Sequence, residues 1–163
     1  MKKGTLSVIS ILIGGLTAGI GGITVTSKKL NKKVKNEMMY AQKHLKIMEV
    51  FNQWLAYRQE GKTLVDFFEE YHYKTIAIYG MSFLGERLIQ ELKGTNIEVK
   101  YAIDKNADEI YSEDVEVKEL SDDLPEVDAV IVTAVYFFDE IEEELSGIVD
   151  YPIISLEDIV YGV

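Results

Sequence analysis

Residues 75–92 read TIAIYGMSFLGERLIQEL, and this stretch decides the fold. A run of apolar and β-branched residues from Thr75 to Tyr79 meets Gly80, and Gly85 follows five residues later. From Leu84 on, Leu84, Leu88, Ile89 and Leu92 recur with the period of a helix. A strand that feeds a helix through a glycine turn is the opening of a βαβ unit. The dinucleotide form of that turn is G-x-G-x-x-G, whose middle glycine lets the backbone approach a pyrophosphate. Here the middle position is Ser82. The turn argues for the fold more strongly than for a ligand.

Downstream, apolar runs at residues 99–103, 127–133 and 152–154, with a weaker one at 115–117, alternate with helical patterns at 84–92 and 138–145. Ser155 begins Ser-Leu-Glu-Asp, a cap for one more short helix. Nearly continuous apolar strands separated by helices predict a parallel sheet covered on both faces. Right-handed crossovers make it a half-Rossmann α/β sheet of about five strands in the order 3-2-1-4-5.

Ligands of such sheets bind beyond the carboxyl ends of the strands, where the strand order reverses. Three pieces converge there. Gly80, Ser82 and Gly85 form a turn whose N–H groups, with the helix dipole behind them, suit a phosphate. Asp104 ends the second strand 24 residues after Gly80, near the place of an acid that bonds ribose hydroxyls. Thr133 leaves the fourth strand beside the first. The same residues have a ligand-free explanation: the glycines serve a tight turn, and Asp104 starts the polar turn DKNAD. Ser82 brings a Cβ to the pyrophosphate position, and the bulky Phe83 beside it is placed to fill part of the crevice.

No catalytic constellation emerges. Tyr101 and Lys105 have the Y-x-x-x-K spacing, but at the end of a strand rather than on a helix. His44 and His72 have no acid–nucleophile set beside them. The acids of residues 139–144 read as a solvated helix face; with Asp122 and Asp123 they offer at most a weak divalent-cation site, and no metal-ligand spacing is present.

Upstream, Gly61 stops a helix, and Thr63 with Asp66 reads as a capping box that starts another. Before them Val34, Met38, Ala41, Leu45, Met48 and Leu55 form an apolar stripe interrupted by Asn52. Ile47, Phe51 and Trp54 widen it. The stripe is expected to dock on the following domain in preference to forming a short coiled coil.

Charge divides the chain. Residues 1–50 hold nine lysines and two acids, a balance of +7; residues 51–163 hold eight basic and 26 acidic side chains, a balance of -18. The acidic part would repel nucleic acid. In the basic part, residues 6–25 read LSVISILIGGLTAGIGGITV without a charge, long enough for a membrane anchor. Lys2 and Lys3 precede this span and five lysines, at 28, 29, 32, 33 and 35, follow it. The positive-inside rule then expects a single-pass protein of the cell membrane with its C-terminal domain in the cytoplasm. Gly15 and Gly19 form a small-xxx-small face suited to self-association of such a span. A cleaved signal peptide is the other reading of this segment. The absence of cysteine excludes disulfides and thiolate metal sites. The expected organisation is an anchor at 1–27, a basic amphipathic helical linker at 28–72, and a Rossmann-like domain at 73–163.

The segments TIAIYGMSFLGERLIQEL, EVKYAIDKNAD and VDAVIVTAVYFFDEIEEEL together resemble the CoA-binding-like or NAD-binding-like Rossmann modules of bacterial cell-surface polysaccharide enzymes. Such modules stand in membrane-anchored sugar-nucleotide dehydratases and at the end of some sugar methyltransferases. The resemblance implies a ligand such as NAD(H), CoA or a nucleotide-sugar, and polysaccharide-biosynthesis enzymes as partners. The chain is then an anchored accessory or regulatory module without the enzyme's catalytic domain. The alternative expectation is a ligand-free scaffold domain that tethers a partner at the membrane.

Overall fold

A computed structural model describes residues 4–120 and 124–162, with side chains from residue 28 onward. The chain divides into two units, Met1–His44 and Leu45–Val163. Helix α1, Gly4–Gln59, supplies the backbone of the first unit and the opening of the second. Among the described residues no helix is long and apolar enough to cross a membrane. Residues 6–25, with Gly15 and Gly19, on which the anchor expectation rests, lie outside those whose side chains are described.

The second unit holds α2 (Leu64–Glu70), β1 (Thr75–Tyr79), α3 (Phe83–Leu92), β2 (Glu98–Ile103) and β3 (Val117–Lys118). They are followed by β4 (Ala129–Val132), α4 (Phe138–Leu145), β5 (Ile153–Ser155) and α5 (Leu156–Tyr161). The five strands are ordered β3-β2-β1-β4-β5 and every pairing is parallel. This is the half-Rossmann order expected from the apolar runs. The second unit runs from Leu45 and so takes in the end of α1 together with the strands.

Strand alternation sorts the core into two faces. Ile76, Ile78, Ala102 and Ile131 face α3, α2, α5 and the end of α1, meeting Leu88, Phe68, Leu156, Val50 and Trp54. Ala77, Tyr79, Tyr101, Ile103, Val130 and Val132 face the other way, toward Ile141 and Leu145 of α4. Each fully buried large apolar side chain contributes roughly 1.5–3 kcal/mol. Tyr101 is buried with its hydroxyl donating to the Pro125 carbonyl at 2.9 Å and meeting that of Tyr151 at 3.1 Å. Burial, reinforced by that hydrogen bond, pushes its ionisation well above the usual tyrosine range.

Polar side chains fasten the elements where their backbones run out of partners. Asp66 accepts from the Thr63 N–H at 3.0 Å, the reciprocal half of the expected capping box. Ser155 caps α5 by accepting from the Glu157 N–H at 3.2 Å. At the amino ends of the strands, Asp128 Oδ2 accepts the N–H groups of Lys74 and Thr75, both at 2.7 Å. Those backbone bonds, Thr75 first, hold its carboxyl below the usual carboxylate range.

Glu91 on α3 is a junction that nothing in the sequence advertises. Its Oε1 accepts the Leu64 N–H at 2.8 Å, at the start of α2, and its Oε2 accepts Trp54 Nε1 at 2.8 Å, on α1. The carboxylate is 11% exposed. Glu91→Ala strands a buried indole N–H and the Leu64 N–H at the start of α2, so chemical denaturation should register a loss of about 3 kcal/mol, roughly 10 °C in melting temperature. Glu91→Gln keeps one acceptor and should lose about half as much.

Candidate functional site

β1 ends at Tyr79, and the chain turns through Gly80, Met81 and Ser82 into α3. Gly80 has φ +103, a conformation open to glycine and strained for any other residue. Its N–H donates to the Ile103 carbonyl of β2 at 2.8 Å. The next peptide unit, Gly80–Met81, is held from both sides. Its carbonyl accepts the Thr133 hydroxyl at 2.5 Å, and its N–H donates to Asp104 Oδ2 at 2.8 Å. One peptide thus joins the ends of β4 and β2, the two neighbours of β1.

Gly85 completes the arrangement. A Cβ there would stand 2.2 Å from the Gly80 carbonyl oxygen and 3.3 Å from Thr133 Oγ1. No Cβ fits at 2.2 Å from a backbone oxygen, so the first turn of α3 approaches β1 this closely only through glycine. The structure therefore brings Gly80, Gly85, Asp104 and Thr133 together on one peptide. Ser82, the fifth residue singled out from the sequence, is the exposed N-cap of α3, and its hydroxyl makes no capping bond.

Thr133 is 1% exposed, and its hydroxyl is engaged within the protein. It positions the turn from beneath. Asp104 is half-buried; its second oxygen accepts the Asn106 N–H at 3.0 Å, which is the polar turn expected after β2. That oxygen also receives the Asn106 side-chain amide at 3.5 Å, while Oδ2 keeps a further lone pair to which a hydroxyl can donate. Phe83 does not fill the crevice: its side chain is 73% exposed.

The N–H groups of Ser82, Phe83 and Leu84, which open α3, donate to no acceptor among the described residues. A helix start with free donors carries partial positive charge. The first helical bond of α3 is Glu86 N–H to the Ser82 carbonyl, at 3.0 Å. Nearby charges are mixed, with Glu86 and Arg87 paired at 3.5 Å in the first turn.

A second set at the strand ends is invisible in the sequence. The Tyr79 hydroxyl is buried and has no hydrogen-bond partner among the described residues. Burial raises its ionisation, while Lys105 opposes that rise. Lys105 pairs with Glu144 of α4 at 3.3 Å. Attraction to Tyr79 where that phenol ionises, together with the Glu144 carboxylate, raises the lysine above its usual range. Lys105 and Tyr101 do not act together, since the Tyr101 hydroxyl is occupied by Pro125 and Tyr151. Among the described residues no group of His, Asp or Glu is placed to hold a metal ion, and Asp122 and Asp123 lie outside them. His44 meets the Tyr40 carbonyl on its own helix at 2.6 Å.

No family model, curated protein or solved structure matches the chain.

The peptide clamp has a direct consequence for stability. Gly85→Ala must move α3 away from β1 and should cost about 3 kcal/mol or more in urea denaturation. Gly94→Ala is the comparison: nothing lies within 4 Å of its Cβ position, and only its φ of +79 opposes the change. That variant should lose about 1–2 kcal/mol. Equal losses would mean that the approach of α3 to β1 is not held as described.

Proposed function

We propose that the α/β unit binds a nucleotide or nucleotide-sugar at the switch between β1 and β4. The chain would hold this unit at a membrane as an accessory or regulatory component of cell-surface polysaccharide biosynthesis. The observation that carries the reading is the row of N–H groups at Ser82, Phe83 and Leu84, without protein acceptors, beside the half-exposed carboxylate of Asp104. The row and the carboxylate lie at the carboxyl ends of adjacent parallel strands, where sheets of this order bind ligands.

The chemistry follows from the donors. A phosphate takes the N–H groups of the α3 start and the Ser82 hydroxyl, and the helix dipole favours its charge. Asp104 accepts a ribose hydroxyl while its Oδ2 keeps the Met81 N–H in place. Gly80, Gly85 and Thr133 contribute by fixing the turn. Ser82 holds the phosphate farther from the backbone than a glycine would, which favours one phosphate group over a tightly gripped pyrophosphate. The anchored, cytoplasmic placement rests on residues 6–25 and on the lysines that follow them. The link to polysaccharide assembly rests on the resemblance of residues 74–159 to modules of those enzymes.

Ligand-dependent thermal melting of the full-length protein tests the reading. NAD(H), CoA or a UDP-sugar at 100 times its Kd should stabilise the protein by about 2.7 kcal/mol. Ser82→Asp separates ligand from fold. A carboxylate at an exposed N-cap suits the helix, so the unliganded variant should melt at or above the parent temperature. The added charge should abolish the ligand-induced shift. Asp104→Asn, which keeps an acceptor for Met81, should weaken binding about tenfold. If no nucleotide, CoA or nucleotide-sugar shifts the parent protein, the unit is a ligand-free scaffold and the proposal fails.

A further inference from the structure

Helix α1 has two apolar faces, and the α/β unit uses one of them. At about 100° per residue, Leu45, Met48 and Leu55 lie across the helix from Val50 and Trp54. Val50 and Trp54 are buried in the core of the unit, whereas Leu45, Met48 and Leu55 are 55%, 67% and 58% exposed. Leu45, Met48 and Leu55, expected to dock on the domain, therefore face away from its core. Ile47, Phe51 and Trp54, expected only to widen the stripe, make the docking contacts with Val50.

The outward residues belong to a repeat. Counted in sevens, Asn31, Met38, Leu45 and Asn52 take the a position, and Val34, Ala41, Met48 and Leu55 take d. All eight are exposed. The repeat covers residues 31–55, about three and a half heptads, all within the helix. Asn52, an interruption for a stripe buried in a domain core, has a different meaning in a paired helix. An asparagine at a sets register and strand number, because its amide is satisfied only by its own counterpart across the seam.

The geometry points to a second copy of this chain as the occupant, pairing through residues 31–55 as a parallel, in-register, two-stranded coiled coil. Parallel register sets Asn31 against Asn31 and Asn52 against Asn52. It also sets each g residue against the e residue five positions on in the other copy. Glu37 then faces Gln42, and His44 faces Glu49, so no like charges meet across the seam. A lipid surface suits this face poorly. Asn31 and Asn52 would be buried in it without partners, and the e and g positions that flank it carry two acids, Glu37 and Glu49, against one lysine, Lys35. This inference is independent of the nucleotide reading.

The chain contains no cysteine, so single cysteines report the contact directly. In a parallel pair, equivalent a positions come within the roughly 4.4–6.8 Å between Cα atoms that a disulfide spans. Mild oxidation of full-length Met38→Cys or Leu45→Cys should give at least tenfold more linked dimer than Asn36→Cys, an exposed position on another face. The doubly substituted L45E/M48E protein should sediment as a monomer at the concentration where the parent is a dimer, with its melting temperature retained. Cross-linking that is equal at Asn36, or absent at both a positions, overturns the inference. So does cross-linking that vanishes when Gly15 and Gly19 become leucine, since that assigns the contact to the preceding segment. A monomer whose Met38→Cys is shielded from a water-soluble maleimide only on vesicles of anionic lipid would give the face to a membrane instead.

Discussion

The peptide between Gly80 and Met81 is the constraint on which the rest of the unit depends. Its carbonyl is held by Thr133 from β4 and its N–H by Asp104 from β2. The same carbonyl sits where a Cβ of residue 85 would have to be. Three consequences follow from one planar group. The ends of three strands are tied, α3 is brought against the sheet, and the chain direction is set so that α3 starts beside the end of β2. A buried peptide must have its donor and its acceptor satisfied, at a cost of about 1–3 kcal/mol for each group left unpaired. Here side chains from the two neighbouring strands satisfy both.

This arrangement explains why a turn that resembles a dinucleotide fingerprint need not be one. Gly80 is required by its positive φ, Gly85 by the absence of room, and Thr133 and Asp104 by the peptide they hold. None of these requirements mentions a ligand. What the clamp does not consume is the row of N–H groups at Ser82, Phe83 and Leu84. Those donors, and not the glycines, are what suits an anion. A serine in place of the middle glycine is compatible with the clamp, because Ser82 lies beyond it, exposed at the helix cap.

The fold was legible because its signals are local. An apolar run, a glycine and a helical period name a strand, a turn and a helix, and their alternation implies a parallel sheet whose order the structure reproduces. Gly80, Gly85, Asp104 and Thr133 meet because loops after parallel strands come together at one edge of the sheet. Contacts between side chains distant in sequence were not. Glu91 looks like one more acid on an amphipathic helix, yet it joins α3 to α1 and α2. Tyr79 reads as the last residue of a strand, and nothing in its neighbours foretells the influence of Lys105 and Glu144 on its hydroxyl. Periodicity points to the outward stripe on α1 for a definite reason. Both faces of that helix are apolar between residues 45 and 55, and periodicity finds a face without saying what covers it. The aromatic content of one face, Phe51 and Trp54, marked the docked side; the heptads with asparagine marked the other.

The central claim is that the start of α3 offers its free N–H groups to a phosphate. It is tested most directly by following the backbone amides of Ser82, Phe83 and Leu84 by NMR in the nitrogen-15-labelled full-length protein while a nucleotide is added. Saturable shifts are expected at these three amides, with a smaller change at Met81, whose N–H is already held by Asp104. Saturable binding that moves amides elsewhere and leaves these three in place would contradict it.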